Sequence, residues 1–152
     1  MTRPTLSVLL VSVFVVTLLH NANAQQKLPP RSEIDALLEN AVRQGNSQLA
    51  NTKVDDDTTL VMMTYDKGVP VFSYHYRTMI TKRLGRKTLT AAEQVAMRTF
   101  HREKTCSSHF KGFMLAYGLQ VAHLFEDGTT GRNLLTLTYQ GSDCTGASTK
   151  RE

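Results

Sequence analysis

No cysteine precedes Cys106 in this 152-residue chain, and only Cys144 follows it. A lipid-bearing N-terminus, which needs a cysteine directly after an apolar leader, is therefore not expected. Cys-x-x-Cys is also absent, which argues against a thioredoxin-like redox pair. Gly-x-Ser-x-Gly, Gly-x-x-x-x-Gly-Lys, His-Glu-x-x-His and the spaced acids of a calcium loop do not occur. The common routes to serine hydrolysis, nucleotide binding, zinc proteolysis and EF-hand signalling thus lack their motifs. Charge is sparse at 20% and hydrophobic content is 41%, a balance that does not fit wholesale disorder. After the first 20 or so residues no apolar run approaches the length that a bilayer span requires, so an integral membrane protein is not expected.

The first segment reads as an export signal. Met1–Arg3 is positive, Leu6–Leu19 is apolar apart from Ser and Thr, and Ala22-Asn23-Ala24 has the small-x-small form that signal peptidase cuts. Residues 1–24 are accordingly expected to be removed, giving a periplasmic or secreted product of about 128 residues, the size of one domain. Residues 25–31, with Pro29-Pro30, form a flexible leader, 32–144 a single domain, and 145–152 a small polar tail expected to be mobile. Export places Cys106 and Cys144 in an oxidising compartment, where an even pair reads as a disulfide.

Periodicity within 32–144 predicts the order α-β-β-α-α-β-β. Ser32 with Asp35 offers a weak capping box, and Ile34, Leu37, Leu38, Ala41 and Val42 make an apolar helical stripe that Gly45-Asn46-Ser47 ends or weakens. Asp55-Asp56-Asp57 reads as a solvated loop. Thr58–Tyr65 and Val69–Met79 make a hairpin around Asp66-Lys67-Gly68, with Phe72, Tyr74 and Tyr76 on one face, and Pro70 suggests an edge position. Thr90-Ala91-Ala92-Glu93 is a capping box, followed by the stripe Ala92, Val95, Ala96 and Phe100. A short helix from Ser107 or Ser108 carries Phe110, Phe113, Met114 and Tyr117 and stops at Gly118; Leu119–Glu126 and Asn133–Tyr139 form a second hairpin. The expected fold is α+β, an antiparallel sheet of about four strands with helices on one face.

Candidate chemistry is thin. His101, Cys106 and His109 are near one another in sequence, but zinc needs three or four ligands and export favours oxidised Cys106. His75 and His123 fall mid-strand, where a half-buried hydrogen-bonded histidine is ordinary. A small hydrolase using His101 or His109 is the enzymatic alternative; no cofactor, metal or catalytic residue is assigned.

Charge segregation stands out instead. Arg77, Lys82, Arg83, Arg86, Lys87, Arg98, Arg102, Lys104 and Lys111 are opposed only by Glu93 and Glu103, a balance of +7. The first seven of these cations are the candidate binding face, attractive to an anionic partner. For an exported protein that partner is an envelope protein with an acidic surface, or else an anionic lipid or glycan. Nucleic acid is not expected, because no aromatic side chain interleaves Lys82–Lys87.

The run Cys106-Ser107-Ser108, then Gly118-Leu119-Gln120-Val121, Glu126-Asp127-Gly128 and Cys144 resembles a pattern in small exported bacterial proteins, in which one cysteine opens a helix and the other closes the last strand. Over roughly Val54–Cys144 the layout is similar to pilotin-like secretion accessories. The resemblance carries over no catalytic residue; the signal, the cysteine pair, the one-sided charge and the missing catalytic motifs point to a non-enzymatic binding protein of the cell envelope, of a secretion-accessory or immunity type.

Overall fold

The computed structural model describes residues 28–145; the expected signal segment with its cleavage site and the polar tail beyond Thr145 lie outside the described residues. The chain folds as an α+β domain. Helix α1 (Arg31–Leu49) leads into strands β1 (Thr52–Lys53), β2 (Thr58–Asp66) and β3 (Val71–Thr78). Helices α2 (Ile80–Arg83), α3 (Ala91–Ser107) and α4 (Phe110–Tyr117) follow, then strands β4 (Gln120–Asp127) and β5 (Asn133–Tyr139) and a 3-10 turn (Gly141–Cys144).

Both predicted hairpins form, but the sheet joining them is mixed and five-stranded, in the order β1-β2-β3-β4-β5. β3 runs parallel to β4, with Phe72 beside Val121, Tyr74 beside His123 and Tyr76 beside Phe125. This corrects the expected four-stranded antiparallel sheet. Alternation along a strand reports which side chains share a face and says nothing about the direction of the neighbouring strand. Strand β1, only two residues long, is too short to leave a periodic signal. Pro70 is corrected too: β3 is central, and Pro70 stands just before it, where its carbonyl accepts from Gln120 N at 2.8 Å. A proline needs an edge only where its missing N–H would break a ladder, and here the ladder begins one residue later.

Parallel register puts Phe72, Tyr74, Tyr76, Val121, His123, Phe125, Leu135, Leu137 and Tyr139 on the helix-covered face. The core forms there, with Phe72, Val121 and Leu137 at most 2% exposed. A bulge at Leu60–Met62 in β2 lets both Leu60 and Met63 turn inward. The opposite sheet face carries Thr64, Ser73, His75, Thr136 and Thr138.

Helix α1 begins one residue before Ser32, with Pro30 at the cap position and no side-chain cap, and it continues through Gly45-Asn46-Ser47 to Leu49. Tertiary contacts outweigh the local breaking tendency. Gly45 lets the helix settle against Met63, whose terminal methyl occupies the space a Cβ would need. Asn46 then accepts from Met63 N at 2.6 Å and donates to Met63 O at 2.8 Å, completing both backbone groups of a strand residue beyond the reach of β1. At its other end Arg31 contacts Asp35 at 2.8 Å and donates to Tyr65 Oη at 3.1 Å and to the Tyr117 carbonyl at 2.8 Å, tying α1 to β2 and α4. Tyr65 in turn donates to Asp35, and these two partners hold the Asp35 carboxyl below its ordinary range.

Thr90 and Glu93 form the expected capping box at α3, and Gly118 ends α4 in the left-handed region at φ 65°. Cys106, at the end of α3, is bonded to Cys144 just past β5, with their Cα atoms 5.2 Å apart. The bond closes a loop with a sequence separation of 38 and fastens the last strand to the helical layer. Replacing both cysteines by serine should lower unfolding stability by about 3–4 kcal/mol, the loop-closure entropy returned to the unfolded chain. Urea denaturation followed by far-ultraviolet circular dichroism would measure it, and an unchanged midpoint would contradict this account.

Candidate binding surface

Helix α3 is rotated about its axis relative to the stripe read from sequence. Ala92, Val95, Ala96 and Phe100, expected in the core, face outward, and Val95 and Phe100 are 62% and 54% exposed. The inward side instead carries Met97, His101 and Thr105. The cause lies on β4. His123 is 5% exposed in the middle of the covered sheet face, and a buried imidazole must be hydrogen-bonded. Thr105 Oγ1 lies 3.1 Å from His123 Nε2, and Tyr76 Oη lies 3.4 Å from its Nδ1. A hydroxyl from α3 must therefore point in, and the helix turns its apolar side chains away to supply it.

His101 packs on His123 with ring centroids 4.5 Å apart, flanked by Tyr76 at 6.1 Å and Phe125 at 5.2 Å. Burial lowers the proton affinity of His101, and burial together with the neighbouring His101 brings His123 down to about 3. Burial likewise lifts the Tyr74 phenol to about 12 and Tyr76 higher still. The two histidines are thus neutral packing elements at neutral pH. His109 is an exposed residue at the start of α4, and Cys106 is taken by the disulfide, so the three side chains weighed for zinc are not gathered.

The basic residues fall in four places. Arg98 and Arg102 are exposed one turn apart on α3, on the side of Tyr139, whose hydroxyl donates to the Arg98 carbonyl at 2.7 Å. Lys104 lies over the Phe100 ring at 5.6 Å from its centroid, so α3 presents apolar and cationic side chains together. Lys82, Arg86 and Lys87 cluster beside the β4–β5 turn, where Arg132 joins them. Arg83 turns away to Asp57, at 2.7 Å, and Arg77 lies on the sheet face opposite the helices. Arg132 escaped the sequence reading because it is 45 residues from Lys87; the Asp127–Gly131 turn next to it was the available signal.

Glu93 does double duty. It accepts from Thr90 N at 2.8 Å and from Arg86 at 2.6 Å, and Arg86 first, then Thr90, holds its carboxyl at about 2. The Lys82–Lys87 segment is thereby fixed to the first turn of α3.

No family model and no curated protein matches the chain. Two solved structures share its fold. A crystal structure from Pseudomonas aeruginosa, described as that of a putative secreted protein, aligns at TM-score 0.59 and 16% identity, covering 75% of this chain and 95% of that one. The pilotin EpsS of the Vibrio vulnificus type 2 secretion system aligns at TM-score 0.57 and 9% identity, covering 76% and 94% respectively. At these identities the likeness is one of fold.

The buried histidine pair gives the domain a defined acid response. His123 folds neutral, whereas a free imidazole takes a proton near 6.5, so the unfolded chain binds more protons below that value and stability falls with pH. The His123 share of the loss should approach about 1.4 kcal/mol per pH unit below roughly pH 6, and the carboxyls held low, Glu93 among them, add to it once the pH enters the carboxylate range. Urea midpoints between about pH 6 and pH 5, above the carboxylate range, would reveal the slope, and His123→Phe should reduce it.

Proposed function

We propose that this protein is an exported accessory of the bacterial cell envelope that works by holding a protein partner on helix α3, not by catalysis. The observation that carries the reading is the outward stripe of Val95 and Phe100, with Ala92 and Ala96 between and around them. Large apolar side chains gathered on the outer side of a helix that buries polar ones support a contact surface there. Arg98, Arg102 and Lys104 edge that stripe, so the complementary occupant is an apolar segment bordered by carboxylates. The likeness of fold to a secretion pilotin and to a protein described as secreted supports placing that partner among the envelope proteins of a secretion system. The disulfide supports an oxidising location, periplasmic or extracellular. The expected signal at residues 1–24 supplies the route there.

The basic face enters this reading as an aid to encounter. Exposed cations around a small apolar centre raise association rates and choose among partners, while the apolar anchors set residence time. Arg98 and Arg102 are the members of the basic face placed to act with the stripe.

A photo-activated crosslinker installed at Val95 of the tagged protein, in its own cell, tests the reading. Mass spectrometry should find one envelope protein, joined through a peptide that mixes apolar and acidic residues. Phe100→Asp combined with Arg102→Glu should reduce that adduct at least about tenfold, the scale of losing an interface anchor, with the thermal midpoint nearly unchanged. An adduct undiminished by the double variant would overturn the assignment of α3.

A further inference from the structure

A second feature lies at the end of the sheet, where α2 and the segment after it face the β4–β5 turn. A cleft of about 470 Å³ opens there, and Lys82, Arg86, Lys87 and Arg132 line it. Four cations around one cavity repel each other, so the chain must hold them in place, and it does so from both sides.

On one side, α2 is a single turn stopped by Gly85 at φ 63°, and Arg86 N donates back to the Thr81 carbonyl at 2.9 Å. This reversal brings residues 86 and 87 alongside Lys82. On the other side the Asp127 carboxylate organises the turn. It accepts from Thr129 N at 2.9 Å and Thr130 N at 2.7 Å, from the Thr130 hydroxyl at 3.0 Å, and from the buried Thr81 hydroxyl. Gly128 N also donates to the Thr78 carbonyl at 2.8 Å, and Gly131 adopts φ 69°. Thr81 thus bolts α2 to the turn, and Arg132 Nη2 donates across the cleft to the Lys87 carbonyl. Both walls are thus fixed to each other, the Arg132 guanidinium being one of the ties.

The charges on these walls are not balanced from within. Arg86 is paired with Glu93, and the Asp127 carboxylate, held in the turn it organises, offsets one of the three remaining cations, so the cleft keeps a net charge of +2. Among the described residues, no carboxylate lies within ion-pair distance of Lys82, Lys87 or Arg132. Three cations without an ion-pair partner, on one cavity of net charge +2, match a ligand with several anionic oxygens better than a lone carboxylate, which one arginine fork satisfies. The cleft also has the size of a small-molecule site, with room for the body that carries the oxyanion.

We propose that this cleft binds a phosphate group borne on a larger molecule, with Lys82, Lys87 and Arg132 as its ligands. The site is separate from the α3 stripe and stands whether or not that helix carries the protein partner. A phosphomonoester in solution and a phosphate on a lipid headgroup present the same chemistry to it, and two arms of one experiment tell them apart.

In the first arm, the full mature protein labelled with 15N is titrated with inorganic phosphate and with glucose 6-phosphate at constant ionic strength. Amide shifts should saturate and concentrate at residues 81–87 and 128–132. In the second arm, the protein is floated with phosphatidylcholine vesicles doped with phosphatidic acid, against phosphatidylcholine alone. The variant is Lys82→Gln with Lys87→Gln, at two exposed positions with no ion-pair partner among the described residues, so the fold should be untouched. It should weaken whichever arm binds by at least about tenfold, the scale of losing charge-assisted contacts. Saturation in the first arm alone identifies a soluble phosphorylated ligand, and flotation lost in the variant identifies a headgroup. Shifts spread equally over Arg98 and Arg102, or affinity unchanged in the variant, would overturn the proposal, as would a lack of binding in both arms.

Discussion

The parallel pairing of β3 with β4 is the constraint from which the rest of the molecule follows. Antiparallel neighbours can be joined by a tight turn, but parallel ones require the chain to travel the whole length of the sheet and return. Here the return path runs from Met79 to Leu119 and contains α2, α3 and α4. Eight of the nine cations of the basic segment lie on it, and the ninth, Arg77, is on the strand that feeds it. The charge asymmetry visible in the sequence is therefore an asymmetry of topology. The crossover layer is cationic, and the sheet with α1 carries most of the acid.

That layer must also satisfy the sheet beneath it. Burying His123 between Tyr74, Tyr76 and Tyr139 commits the overlying helix to present a hydroxyl, and Thr105 fulfils the commitment. The Cys106–Cys144 bond and the Tyr139 hydroxyl on the Arg98 carbonyl hold α3 in the same orientation, with Val95 and Phe100 outward. The polar contact to one core imidazole is thus coupled to what the far side of the helix displays.

Much of this was legible from residue order alone. Two alternating runs around short turns gave both hairpins, Thr90 with Glu93 gave the start of α3, and an even cysteine pair in an exported chain gave the disulfide. These are local signals, or signals of composition, and export itself is an expectation read from residues 1–24. The errors came where a distant residue overruled a local preference. Gly45 and Asn46 continue α1 because Met63 is beside them, Pro70 precedes a central strand because Gln120 needs its carbonyl, and α3 turns over because of His123. The cationic cleft was half visible. Lys82, Arg86 and Lys87 form a run, while Arg132 arrives only through the β4–β5 turn and the Thr81–Asp127 bond.

The position of the disulfide has a mechanical meaning. Strand β5 is the outer strand of the sheet and holds to one neighbour, so a pull on the chain beyond it would peel its hydrogen bonds open one at a time. Cys144 intercepts that load before it reaches Tyr139 and passes it to Cys106 at the end of α3. Tension from the C-terminal side is then borne by a covalent cross-strut and a seventeen-residue helix, and the zipper of β4 with β5 is relieved. A tether attached after Thr145 would find the domain stiff in that direction.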